Sequence, residues 1–330
     1  LLVLFGLLIL PQLSLLLQAA LLHADNASWM YRGTAIDWPI FRFAAPALIL
    51  FGASLLLRVQ KDDAFVRVLE SVTAVLVGTT IYLLTRRAFH PEGNALMAPA
   101  DFIERGVISN IFFLTGFIAF WLGRRFERVA WIRAGFAFSA IALFRVIFFD
   151  LLTLNPLWSH QFVGDLPLIN GLALTFGLPI VLSVIVARHI RTLGRHEVAA
   201  GLNGLGFVLL FVLVTLNVRQ FYWGGFLDGV SAFDSEIYAY SAAWLLMGVG
   251  LLIAGTIRKE QMIRIASLVV MLIAVGKVFL IDASSLEGLY RVMSFFGLGV
   301  TLIALSWFYT RYVFVDGPVT TPRRMARSAR

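Results

Sequence analysis

The chain has 330 residues, of which 60% are hydrophobic and only 14% charged, with a mean hydropathy of +0.87. Soluble domains carry about 25% charged residues, so a water-soluble fold could not hide this much apolar surface, and lipid is the solvent. The net charge of +8 sits in short inter-helix loops and a tail, which fits membrane topology rather than nucleic acid, and the absence of cysteine excludes disulfides, thiolate metal sites and a cysteine nucleophile.

A spanning helix needs about 20 apolar residues, and only helices or closed barrels satisfy their backbones in lipid. The apolar runs are too long and too little alternated for barrel strands. The sequence therefore predicts an all-α, polytopic transmembrane helical bundle of about ten spans. The first is Leu2–Leu22, with Pro11 inside it. Leu1–Ala24 has no basic start, so it reads as a span rather than a signal peptide. Because the first residue is Leu, the chain reads as a fragment or trimmed product. Next come Ile40–Leu57, with Arg42 and Pro46, and Phe65–Thr85, where Arg67 and Glu70 stand three apart and are able to pair on one face. Then follow Val107–Gly123, Val129–Leu152, Leu168–Ala187 with Pro179, Ala199–Val218, Ile237–Ile257, Met262–Ile281 and Tyr290–Phe314. From Val315 onward the chain reads as a disordered basic tail resting on anionic lipid.

Orientation follows from Lys and Arg. The loops after the second, fourth, sixth and eighth spans, with the chain's end, hold Arg58, Lys61, Arg124, Arg125, Arg128, Arg188, Arg191, Arg195, Arg258, Lys259, Arg311 and four tail arginines. The opposite loops hold Arg32, Arg86, Arg87, Arg105 and Arg219, so the count is fifteen against five. The expected location is the bacterial inner (cytoplasmic) membrane, multi-pass, with a cytoplasmic C-terminus. Trp29, Trp38, Trp121, Trp131, Trp158, Trp223 and Trp307 fall near span ends, where indoles anchor at the interface.

Charged residues recur at a fixed offset. Arg219 lies 132 residues after Arg87, as do Glu236 after Glu104, Lys277 after Arg145 and Asp282 after Asp150; Ser241 after Ser109 and Gly255 after Gly123 share the spacing. The pattern predicts tandem parallel four-helix repeats at 65–198 and 199–314. Residues 1–64 would be two spans remaining from a preceding repeat, and 315–330 the basic cytoplasmic tail.

Three segments carry a family resemblance: Ser235-Glu-Ile-Tyr-Ala-Tyr-Ser-Ala-Ala-Trp244, Lys277-Val-Phe-Leu-Ile-Asp282 and Leu289-Tyr-Arg-Val-Met-Ser-Phe-Phe-Gly-Leu-Gly299. Pro167-Leu-Ile-Asn-Gly-Leu-Ala-Leu-Thr-Phe-Gly-Leu-Pro179 adds a fourth. Together they resemble a bacterial family of predicted multi-span membrane proteins, domain of unknown function twenty-three thirty-nine. The resemblance implies many helices, a longer parent chain and no assigned activity, so it adds no catalytic residue.

The candidate site is the repeated polar layer near the predicted outer face: Arg87, Glu104, Arg145, Asp150, Arg219, Glu236, Lys277, Asp282 and Arg291. Charges inside a membrane persist only with a partner, water or a task. On an α-helix Arg145 and Asp150 would point about 140° apart, so each should pair with a neighbouring helix. Three classes of function remain open. As a structural or envelope-associated scaffold, the charges staple helices and loops. As a transporter or flippase of lipid-like or envelope substrates, arginines bind anionic groups. As a membrane enzyme on a lipid-linked substrate, Asp150 or Asp282 acts at the outer face, although no nucleophile stands beside either. His23, His90, His160, His189 and His196 form no His-Glu-x-x-His pattern, so no metal and no cofactor are expected. Membrane lipid and an envelope component are the expected partners; nucleic acid is not.

Overall fold

A computed structural model describes residues 40–60, 63–90, 98–192, 194–229, 233–282 and 289–313. The predicted span Leu2–Leu22, Arg32 and the tail from Val315 lie outside these described residues. Among them the regular elements are all helices, joined by irregular loops, with one isolated bridge between Phe162 and Phe226. Among the described residues eight helices are long and apolar enough to cross a membrane.

The chain divides into two compact units, 1–230 and 231–330. The first holds α1 (Ala45–Gln60), α2 (Ala64–Phe89), α3 (Phe102–Arg125), α4 (Val129–Arg145), α5 (Leu178–Thr192) and α6 (His196–Trp223). The second holds α7 (Asp234–Ile257), α8 (Gln261–Lys277) and α9 (Leu289–Phe308). α6 packs on α5 and so belongs to the first unit.

In the first unit, Asp63 caps α2, its Oδ1 accepting the amides of Phe65 and Val66 at 3.0 and 3.3 Å. One row of α2, at a spacing of four, runs Glu70, Ala74, Gly78, Tyr82, Arg86; Ala74 and Tyr82 join the cluster of Phe112 on α3 and Phe138 on α4. On α3 the buried register is Phe102, Arg105, Ser109, Phe112, Gly116, Ala119, Gly123, alternating three and four. Two glycines let α3 and α4 meet backbone to backbone. A Cβ on Gly116 would stand 2.9 Å from the Gly135 carbonyl oxygen, and one on Gly135 would stand 2.7 Å from that of Gly116.

Two features depart from the sequence expectation. The predicted start of the sixth span at Leu168 is irregular chain, with Leu168 at φ +69°. The helical path begins after Asn170, whose Oδ1 accepts the Ala173 amide at 2.8 Å. The end of α4 also widens into a π turn, Val146–Thr153, in which the Leu154 amide bonds the Phe149 carbonyl five residues back at 2.7 Å. Asp150 lies in this turn and pairs with Arg105 on the neighbouring helix α3, as expected from the angle between Arg145 and Asp150.

In the second unit α7 and α8 form a hairpin, and α8 likewise ends in a π turn, Val278–Asp282. A π turn at Tyr309–Val313 follows α9. There the Tyr309 hydroxyl is buried against Ser267 Oγ at 2.6 Å, next to Met271.

Candidate functional site

The polar layer of the first unit gathers at the end of the bundle where α2 stops, α3 starts and α4 widens. Arg86 donates Nη1 to Glu104 Oε1 at 2.7 Å and also bonds the Ala98 carbonyl. His90 Nε2 lies 2.9 Å from the second oxygen of Glu104. Glu104 has no solvent exposure and Arg86 only 3%, so this is a desolvated pair whose carboxylate is engaged on both oxygens. An ion removed from water this completely is retained only with such partners.

Arg105, one residue on, points about 100° further round α3. Its Nε donates to Asp150 Oδ1 at 2.8 Å, Nη1 to Ala100 O at 2.9 Å and Gln161 Oε1 at 3.3 Å, and Nη2 to Leu154 O at 3.1 Å. One planar guanidinium thus ties together α3, the π turn, the segment before α3 and the loop after α4. Asp150 is fully buried, and its second oxygen has no hydrogen-bond partner among the described residues.

Arg145 is placed differently. It is half-buried, its Nε has no hydrogen-bond partner among the described residues, and its guanidinium lies 5.8 Å from the Phe149 ring. It stands within electrostatic reach of Asp150, Arg105, Arg86 and Tyr82. Among the described residues, the guanidiniums of Arg86, Arg105 and Arg145 here stand with the carboxylates of Glu104 and Asp150.

Arg219 works at the end of α6. It donates Nε to Leu227 O at 3.1 Å, bonds Gly229 O, and lies 4.5 Å over the Trp223 ring. It anchors the chain segment that pairs with the loop after α4. In that same cap the Val163 amide bonds Gly225 O at 2.9 Å and Gln220 Nε2 bonds Gly164 O at 2.6 Å. His160 stacks on Phe226 and reaches Asp228 Oδ2 at 2.9 Å. The hydrogen bond from His160 holds the Asp228 carboxyl below its ordinary value.

In the second unit Lys277 Nζ donates to Ile237 O at 2.7 Å and to Ser241 Oγ at 2.8 Å. Glu236 is fully buried, accepting from Tyr240 Oη at 2.8 Å and the Phe233 amide at 3.3 Å. Asp282 closes the π turn and Arg291 lies in the first turn of α9; their side chains lie outside the described residues. Arg87 is half-buried at the end of α2.

A profile of one family of membrane proteins matches residues 1–312; its description is "Predicted membrane protein (DUF2339)". The chain belongs to this family. No curated protein and no solved structure matches it significantly. The family is defined by its membrane character and no activity is attached to it, so the chemistry of this member has to be read from its own side chains.

Of the residues singled out from sequence, the structure brings Glu104, Asp150 and Arg145 into one neighbourhood of the first unit, and Glu236 and Lys277 each onto α7 residues within the second. Sequence reasoning missed Arg86, His90 and Arg105, their direct partners. Both arginines were legible in helix registers, Arg86 closing the four-spaced row of α2 and Arg105 continuing the three–four row of α3. Glu70 was expected beside Arg67. Instead Arg128, from the turn before α4, donates Nε to Glu70 Oε1 at 2.7 Å, while Arg67 is exposed. Among the described residues, no group of three His, Asp or Glu could hold a metal ion.

Proposed function

We propose that this chain is an inner-membrane, envelope-associated scaffold whose repeated charges lock helices and loops together at the outer end of the bundle. The observation that carries this reading is Arg105, fully engaged with four acceptors from different segments. Glu104 and Arg219 behave in the same way. Groups committed like this to protein partners stiffen a framework and leave little for a substrate. Membrane lipid surrounds the scaffold, and an envelope component is its expected partner. The charge count supports a cytoplasmic C-terminus, since two of its exceptions, Arg86 and Arg105, are buried against carboxylates.

The tandem reading gains support from the elements themselves. α3 and α7 each run 24 residues, and α4 and α8 each run 17 before a π turn. Their close contacts repeat too. A Cβ on Gly116 or Gly123 would meet Ser139 or Ile132, and one on Gly248 or Gly255 would meet Met271 or Arg264, each partner again 132 residues on.

Arg145 favours a second reading. A half-buried guanidinium whose Nε has no hydrogen-bond partner among the described residues suits an anionic group of a lipid-like or envelope substrate, as a transporter or flippase would need.

Both readings are tested by single cysteines placed at Glu104, Asp150, Arg145 and Lys277 in this cysteine-free chain, labelled in intact cells with a membrane-impermeant maleimide. Ser159 serves as the outside control and Gly194 as the inside control. The scaffold reading expects Ser159 to label and the four sites to stay dark. Labelling at Arg145 and Lys277 comparable to Ser159 refutes it in favour of a water-filled path. Labelling at Gly194 with Ser159 dark refutes the orientation.

A further inference from the structure

The opposite end of the first unit holds a different kind of site. Between α1, α2 and the α3–α4 turn lies a cavity of about 660 Å³, within the ~300–1,000 Å³ typical of small-molecule pockets. Its walls are almost wholly apolar, with Leu48, Phe51 and Leu55 from α1, Val77 and Ile81 from α2, and Trp131 from α4. Leu48 and Leu55 are exposed, so the slot opens sideways, toward the hydrocarbon of a membrane. It is also long. From Ala44 to Arg58 the α1 wall runs about 21 Å, and from Glu70 to Ile81 the α2 wall runs about 16 Å, at 1.5 Å per residue. One leaflet of the hydrocarbon core is about 15 Å deep, half of about 30 Å.

Charge is confined to one end. There the buried pair Glu70–Arg128 and the exposed Arg58 line the cavity. Among the described lining residues Glu70 and Arg128 balance each other, and Arg58 adds a positive charge at the mouth. This is the end that carries Arg124 and Arg125, where the positive-inside count places the cytoplasmic interface. An apolar slot one leaflet deep, open to the bilayer and tipped with a cation at headgroup level, matches an acyl chain whose head bears a phosphate.

We propose that this groove binds one acyl chain of an anionic phospholipid, its phosphate at Arg58 and its tail between α1 and α2 beside Trp131. The site is independent of the outer polar layer and stands or falls separately from it.

The test uses the full chain in nanodiscs of phosphatidylglycerol mixed with phosphatidylcholine, followed by release and native mass spectrometry. Retention of one phosphatidylglycerol per chain is expected, with Arg58→Gln lowering its preference over phosphatidylcholine by about fivefold, the factor for one arginine at a lipid surface. Val77→Phe, which fills the slot, should remove retention of both lipids; Arg58→Gln lies on an exposed position and keeps the test valid if that variant misfolds. Phosphatidylglycerol brominated on its acyl chain should quench the Trp131 signal, measured as the difference from Trp131→Phe. Equal retention of the two lipids, unchanged by Arg58→Gln, would overturn the proposal. So would displacement by millimolar inorganic phosphate, which would mean that the anion alone is recognised. Absence of Trp131 quenching would also overturn it, leaving an apolar segment of residues 1–39 as the occupant of the groove.

Discussion

Arg105 and Asp150 give the sharpest energetic test of the polar layer. Arg105→Leu leaves the Asp150 carboxylate fully buried, with neither oxygen hydrogen-bonded, and strips a charged donor from Ala100 O, Gln161 and Leu154 O. Breaking one side of a buried ion pair costs about 3–5 kcal/mol. Asp150→Leu should cost somewhat less, about 2–4 kcal/mol, because Arg105 keeps three of its four acceptors and hydrogen bonds to charged groups are worth about 1.5–3 kcal/mol each. The double variant removes both charges at once, so its loss should resemble that of the single Asp150 change, about 2–4 kcal/mol. The sum of the singles less the double then gives a coupling of about 3 kcal/mol or more. Reversible unfolding in mixed micelles, followed by tryptophan fluorescence, measures all four proteins. A coupling below about 0.5 kcal/mol, the range of independent sites, would show that the pair is not a unit and would refute the stapling argument at its strongest point.

Glu104→Gln keeps the shape but removes the charge that Arg86 and His90 share, and should destabilise by about 1.5–3 kcal/mol in the same assay. Gly135→Ala drives a Cβ into the Gly116 carbonyl and the Phe120 backbone, which cannot rotate away, so a loss of about 1–3 kcal/mol is expected. Gly201→Ala on α6 meets nothing within 4 Å and should be neutral or stabilising by up to about 1 kcal/mol, since alanine is the better helix former; equal losses at both sites would contradict the packing. Asp228 should titrate with a midpoint below 3.8. A depressed carboxyl contributes stability that is present above the unfolded value and lost as pH falls through the folded one. Carbon-13 carboxyl titration of labelled protein reads the midpoint, and His160→Ala should return it toward 3.8.

The helices were legible because lipid imposes one rule on them. Apolar runs of sufficient length announced Ile40–Val59, Ala64–Phe89 and their successors, with ends shifted by a few residues where caps such as Asp63 and Asn170 act. The polar layer was legible in its members more than in its pairs. Glu104 and Asp150 stood out as costly charges, but the sequence carries no sign that Asp150 meets Arg105, 45 residues away, or that Glu70 meets Arg128, 58 residues away. Arg219 was less legible still, since its acceptors are the carbonyls of Leu227 and Gly229, which every residue type possesses. The π turn after Arg145 was not legible either: the backbone there bonds five residues back instead of four, and nothing in Val-Ile-Phe-Phe signals the wider turn.

The same pairs bear on orientation. Topology responds to positive charge near the ends of spans, and Arg86, Arg87, Arg105 and Arg219 all sit where the rule expects few. Arg86 and Arg105 are each matched in the interior by a carboxylate, and Arg219 caps carbonyls, so their charges are held inside the fold. Arg58, Arg124 and Arg125 at the other end are exposed. Stapling and the charge count therefore make the same demand on the end where α2 stops and α3 starts, that the cations there find partners within the protein. Arg145 meets it least, since its Nε has no hydrogen-bond partner among the described residues. Its neighbouring carboxylate accepts from Arg105 through one oxygen, whereas Lys277 in the second unit is satisfied by a serine and a carbonyl. A framework with no further task would have no reason to keep that guanidinium, so Arg145 is where the scaffold and transport readings part.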